Sequence, residues 1–297
     1  MKISLPRLLY SAGFVIVVSL PGCSSNKQKA EIPAYIKIDS IGFQCPDEQG
    51  TNRQNITEAW VYINDNLQGV YDLPCEFPVL AYGNKNIKVR GAVKRNGFET
   101  THIDYPFFTT YSGDVFLEAL KTTTCKPILN YYDDAKVWVE NFEDAGYSFS
   151  SASNSDTGIF LTNEPHEIFE GTGTGKIILS GNNQFARVQT TQNMKLPRLN
   201  PVFLEIHYKS SGTLGVGLVS HIINTGETVY TPYIYLDPTV GVERFPNGWN
   251  KIYINLTELV NKATTAESFD LFFDFTGDLD NSEATLLIDN IKLLHPK

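Results

Sequence analysis

The sequence predicts an all-β fold made of two successive β-sandwiches, and three observations carry that prediction. Apolar residues alternate with polar ones over short runs, the period of a half-buried strand. Asn, Asp and Gly recur between these runs at spacings of about 8–12 residues, as in sandwich folds. Helical periodicity is confined to one short stretch, 257–262. The 297 residues are 42% hydrophobic and 12% aromatic, enough to bury two cores, and length alone favours two domains.

Residues 34–43 alternate, with Ile36, Ile38 and Ile41 apolar among polar neighbours. Residues 59–63 and 67–71 flank Asn64-Asp65-Asn66, a turn that tolerates positive φ, so this segment reads as a hairpin. Strand runs at 77–80, 86–93, 100–108 and 115–120 follow, punctuated by Tyr82-Gly83-Asn84 and Arg95-Asn96-Gly97. Thr122-Thr123-Thr124 with Lys126-Pro127 reads as a connector. The residues from Val61 to Phe98, with Pro74, Gly83 and the Asn96-Gly97-Phe98 end, resemble a PEGA-type or carboxypeptidase-regulatory-like, Ig-like sandwich. The resemblance covers about sixty residues of turn and core, and implies a spacer or assembly module over 34–130.

The second domain, 131–297, opens with Val137-Trp138-Val139-Glu140-Asn141-Phe142-Glu143-Asp144. It closes with Trp249 to Leu256, Phe269 to Phe273, and Leu286-Leu287-Ile288-Asp289-Asn290-Ile291. That ladder resembles the galactose-binding-like jelly rolls that include many carbohydrate-binding modules. The resemblance implies a glycan partner. It also implies a structural calcium tying the opening strand to the last one, with Glu143 (or Asp144) and Asp289 matching in position; calcium takes carboxylate and carbonyl oxygens.

The N-terminus has the three parts of an export signal: Lys2 and Arg7, an apolar run over 8–20, then Leu20-Pro21-Gly22-Cys23. As a helix the apolar run spans only about 20 Å, against about 30 Å of hydrocarbon in a bilayer. Leu-x-Gly-Cys resembles the lipobox of bacterial lipoproteins, which implies removal of 1–22, acylation of Cys23 (palmitate among the acyl groups) and a polar tether over 23–33. Ser24 beside the cysteine implies sorting to the outer membrane. The partner expected at this end is therefore the lipid bilayer, through the N-terminal acyl anchor.

The chain holds 24 Lys and Arg against 33 Asp and Glu, net −9, and losing Lys2 and Arg7 deepens the deficit. That balance argues against nucleic acid and against polybasic docking on anionic lipid. Cys45, Cys75 and Cys125 remain after Cys23; their odd number leaves at least one free thiol, and their spacing fits no zinc pattern.

No catalytic set is legible. The five histidines form no H-E-x-x-H or H-x-E pattern, and no G-x-S-x-G elbow is present. Gly171-Thr172-Gly173-Thr174-Gly175 runs into the strand-like Lys176-Ile177-Ile178-Leu179, whereas a phosphate-binding loop opens a helix. Asp133-Asp134, Glu143-Asp144 and Asp278/Asp280 read as turn pairs. Candidate ligand contacts are Tyr233 and Tyr235, which strand periodicity places on one face, with Arg244, Asn247 and Trp249 at the following turn. Aromatic rings there suit the apolar C–H faces of sugars. The sequence thus predicts a non-catalytic, membrane-anchored lipoprotein that binds glycan; the alternative is a structural subunit of an outer-membrane complex for secretion, assembly or nutrient uptake.

Overall fold

The structure is a computed structural model whose described residues are 32–277 and 283–297. The leader, Cys23 and the tether up to residue 31 lie outside them, as do Asp278 and Asp280. Pro33–Lys297 form one compact, nearly all-β unit.

The first sandwich comprises β1 (Ala34–Ile38), β2 (Gly42–Phe43), β3 (Glu58–Ile63), β4 (Asn66–Asp72), β5 (Cys75–Val79), β6 (Gly83–Lys94), β7 (His102–Asp104), β8 (Tyr111–Leu117), β9 (Thr122–Thr124) and β10 (Ile128–Leu129). One layer runs β4-β3-β6-β7, with β8 also on β6; the other is β5-β1-β9 beside the β2–β10 pair. Strict alternation fills its core: Ile36 and Ile38 point inward from β1, Ala59, Val61 and Ile63 from β3. The β3–β4 hairpin turns on Asn64 (φ 46°) and Asp65 (φ 65°), the two consecutive positive φ values of a type I′ turn.

The second sandwich comprises β11 (Ala135–Glu140), β12 (Phe149–Ser151), β13 (Phe160–Thr162), β14 (Thr174–Ser180), β15 (Phe185–Thr190), β16 (Phe203–Ser210), β17 (Thr213–Ile222), β18 (Thr228–Leu236), β19 (Asn250–Asn255), helix α1 (Thr257–Lys262), β20 (Ala266–Thr276) and β21 (Glu283–Pro296). A six-stranded sheet, β13-β14-β21-β16-β19 with β11 on β21, faces the five-stranded β12-β15-β20-β17-β18. Leu204, Ile206, Val216, Leu218, Leu271, Phe273, Ile288 and Leu293 are among the side chains filling the space between them.

Two local expectations are corrected. The run at 100–108 is strand only over His102–Asp104, because Pro106 has no N–H to donate and Tyr105 turns inward to bond Glu205. Thr122–Thr124 is no free connector: it is β9, parallel to β1, and the strand before it ends at Leu117 rather than 120. All three cysteines are free. Cys75 faces Ile38 across β1, and the Cys125 N–H bonds Lys37 on the opposite edge. Two strand spacings, roughly 9–10 Å, exceed the reach of a disulfide.

The sandwiches share buried surface. β16 is buried on both faces: Leu204, Ile206 and Tyr208 enter the second core, while Phe203 joins Tyr253 and Leu294 in the first. On that same face lies a buried ion network. The Glu205 carboxylate accepts from Tyr105 Oη (2.8 Å), Tyr131 Oη (2.9 Å) and Lys251 Nζ (2.6 Å). Lys292, fully buried, donates to the Thr51 carbonyl (2.7 Å), and its ammonium lies 5.1 Å from the centroid of the Tyr131 ring. Burial holds Lys292 down to about 8, against the opposing pull of Glu205. Glu205 itself stays below the usual carboxylate range: burial pushes it up, but Lys251 and Lys292 outweigh that. The first sandwich supplies Tyr105 and the Thr51 carbonyl, the link between β10 and β11 supplies Tyr131, and the second sandwich supplies the charges.

Candidate functional site

The outer face of the five-stranded sheet follows from strand period and register. On β15, Ala186 and Val188 point to the core, so Phe185, Arg187 and Gln189 point out. On β20, Leu271, Phe273 and Phe275 point in, leaving Asp270, Phe272 and Asp274 outward. Register then sets two rows across the sheet: Arg187, Asp274, Gly215 and Tyr235, then Gln189, Phe272, Gly217 and Pro232.

Each row has a defined chemistry. Arg187 grips Asp274 with two parallel bonds of 2.6 and 2.5 Å. Its guanidinium lies 4.9 Å from the ring centroids of both Tyr230 and Phe272 and 5.5 Å from Phe185. The bonds to Asp274 push the Arg187 pKa up further, burial notwithstanding. Tyr230 donates its hydroxyl to Gln189. Asp270 accepts from Thr190 (3.1 Å) and meets His221 Nε2 at 2.7 Å.

Two glycines make room for the neighbouring side chains. A Cβ on Gly217 would sit 2.5 Å from Phe272, and one on Gly215 would sit 3.1 Å from both Asp274 and the Tyr235 ring. Tyr235 packs beside Gly215 and is 63% exposed. The result is an exposed ring, Tyr235, in the row of a fixed Arg–Asp pair, while Phe272 of the next row is fully buried.

The five ligand contacts expected from the sequence do not share one place. A bulge in the β17–β18 pairing leaves Tyr233 without a register partner, which overturns the shared face expected for Tyr233 and Tyr235. Tyr233 packs on the second core, and its hydroxyl accepts from Asn96 of the first sandwich (3.2 Å). Arg244 bonds Glu99 (3.0 Å) at the seam. Asn247 and Trp249 line a separate cavity of about 790 Å³. Sequence reasoning missed Arg187, Gln189 and Asp274. Their signal was present in the polar alternation of Phe185-Ala186-Arg187-Val188-Gln189 and in Gly215-Val216-Gly217, since glycine inside a strand marks close approach.

The implied calcium ligands come partly together. Asp289 is buried, and burial pushes its carboxyl up to about 7, with the charge of Glu143 adding to the rise. Its oxygens accept from Asn290 N (2.6 Å) and Thr174 Oγ1 (3.2 Å). Glu143 accepts from Thr172 N (2.8 Å), Thr172 Oγ1 (2.8 Å) and Gly173 N (3.2 Å). Burial pushes Glu143 up, yet these bonds hold it below its usual range. The Gly-Thr-Gly loop thus wraps a carboxylate of its own chain: a Cβ on Gly171 would stand 2.0 Å from Glu143 Oε1. Asp144, next to Glu143 in the chain, is exposed. Among the described residues no three His, Cys, Asp or Glu converge to hold a metal. Glu143 and Asp289 by themselves supply fewer than the six to eight oxygens that calcium takes.

No family model matches the chain, and no curated protein matches it. Among solved structures it is similar to the CBM22-1 xylan-binding domain of Paenibacillus barcinonensis Xyn10C, at 13% identity over 56% of this chain and 98% of that one, TM-score 0.40. It is also similar to the K1 cleaved adhesin domain of Lys-gingipain from Porphyromonas gingivalis W83, at 14% identity over 53% of this chain and 97% of that one, TM-score 0.37. Likeness at this level carries nothing about function.

Proposed function

We propose that this chain is a non-catalytic, membrane-anchored glycan-binding protein that lays a polysaccharide across the outer face of its five-stranded sheet. The observation that carries the reading is Tyr235, exposed and paired with Gly215 in the same row as Arg187 and Asp274. A solvated ring accepts the C–H face of a sugar, and planar polar groups beside it serve the hydroxyls. The acids on this face support binding rather than hydrolysis: Asp274 is held by Arg187, and Asp270 by Thr190 and His221. Neither is placed as a free acid–base pair.

A glycan array probed with the mature protein tests the proposal. Tyr235→Ala should weaken the best glycan about five- to twelvefold, the loss of one stacked ring of roughly 1–1.5 kcal/mol, with unchanged thermal stability. A blank array, with and without calcium, would sink it. The anchor is tested separately: cells fed labelled palmitate should label the wild type and not Cys23→Ser.

One observation favours the second reading, a subunit of an outer-membrane complex. Where the chain enters the first sandwich at Pro33, Leu80 and Leu120 stand 65% and 71% exposed. Affinity purification from native membrane in gentle detergent decides it; a protein that elutes alone excludes a stable complex.

A further inference from the structure

The cavity that holds Trp249 lies off the sheet face and is built by different elements. Its loop, between β18 and β19, is pinned at its start: Thr239 N and Val240 N both donate to Ser210 O (2.8 and 3.1 Å), and Thr239 Oγ1 accepts from Ser210 N (2.9 Å). Successive turns, Phe245 N to Val242 O (2.9 Å) and Gly248 N to Phe245 O (2.7 Å), bring the chain round to Trp249. Phe169, which lines the same cavity, packs directly against Trp249, with ring centroids 5.0 Å apart, and its centroid lies 4.3 Å from that of the buried His207. The aromatic wall is therefore backed by packed structure. At about 790 Å³ the cavity falls within the usual range of small-ligand sites, roughly 300–1,000 Å³.

Its polar lining has a particular composition. Lys209 projects from β16, and its stem is held against Gly248, where a Cβ would come within 3.0–3.2 Å of three of its carbons. Neither Lys209 nor Glu243, which lines the same cavity, has an ion-pair partner among the described residues. The Phe245 ring already carries the Arg244 guanidinium, 4.8 Å from its centroid. A single ligand that satisfies this lining needs an apolar face for Trp249 and an anionic group for Lys209. It also needs hydroxyl donors for Glu243, with Asn247 able to donate and accept. A neutral sugar leaves the ammonium unanswered, and an aliphatic acid leaves Glu243 unanswered.

We propose that this cavity is a second ligand site, and that it takes a uronic-acid residue, with the sugar face on Trp249 and the carboxylate on Lys209. The site rests on its own residues and shares none with the sheet face around Tyr235. Short oligogalacturonates and matched neutral hexose oligomers, titrated into the full mature chain by calorimetry, test it, with the Trp249 indole N–H followed by NMR and assigned through Trp249→Phe. The uronate is expected to shift that resonance and to bind at least tenfold more tightly than the neutral oligomer. Lys209→Gln should abolish the preference and Lys209→Arg keep it. Equal affinity for neutral and acidic oligomers, an unmoved Trp249 signal, or a preference that survives Lys209→Gln would each overturn it. Loss of neutral-glycan binding in Tyr235→Ala alone bears on the sheet face and not on this site.

Discussion

Glu205→Ala is expected to destabilise the protein by about 3–5 kcal/mol, the usual cost of leaving buried charges without their counter-ion. The side chain accepts from Lys251, Tyr105 and Tyr131 at once, and it is 1% exposed. Its removal leaves Lys251 and the nearby Lys292 in a site that has lost its negative charge, and leaves two phenols without their acceptor. In a chain of this size the loss corresponds to a fall in Tm of roughly 6–20 °C. Denaturant unfolding at neutral pH measures it directly. Because the network joins both sandwiches, they should also unfold in one transition. A change below about 1 kcal/mol, or two separate transitions in the wild type, would show that the seam does not couple them.

Asp289→Asn is expected to be more stable than the wild type, and increasingly so as pH rises. Burial lifts this carboxyl from 3.8 to about 7. Below 3.8 both folded and unfolded chains hold the proton, and no penalty exists. Between there and about pH 7 the unfolded chain releases it more readily, so the wild type loses stability; above that the loss is constant. The full loss is of order 4 kcal/mol. Asparagine keeps the shape, accepts from Asn290 N and cannot ionise. Thermal melts of both proteins at pH 4, 6 and 8 should diverge steadily. Were Asp289 instead to hold a cation, the substitution would destabilise at pH 8, and calcium would raise the Tm of the wild type alone. The experiment therefore also decides the metal.

Much of the fold was legible because it depends on local rules. Alternation in 34–43 and 59–63 sets which side chains enter the first core, and Asn64-Asp65 sets the hairpin by its tolerance of positive φ. The 257–262 helix was legible for the same reason. The candidate site was only half legible. Tyr235 could be picked as an aromatic on a strand, but its partners come from β15 and β20, about 40–50 residues away in sequence.

What the sequence by itself determined is therefore the strand content, the turns, the acidic balance and the motif around Cys23. Each depends on neighbours within a few residues. The tertiary structure alone decided that Arg187, Asp274 and Tyr235 share a row, that a bulge turns Tyr233 away, and that Glu205 meets Tyr105, and Lys292 the Thr51 carbonyl, of the other sandwich. The physical reason is that strand order and register are settled by long-range pairing and core packing, which bring together residues whose sequence spacing carries no trace of the contact.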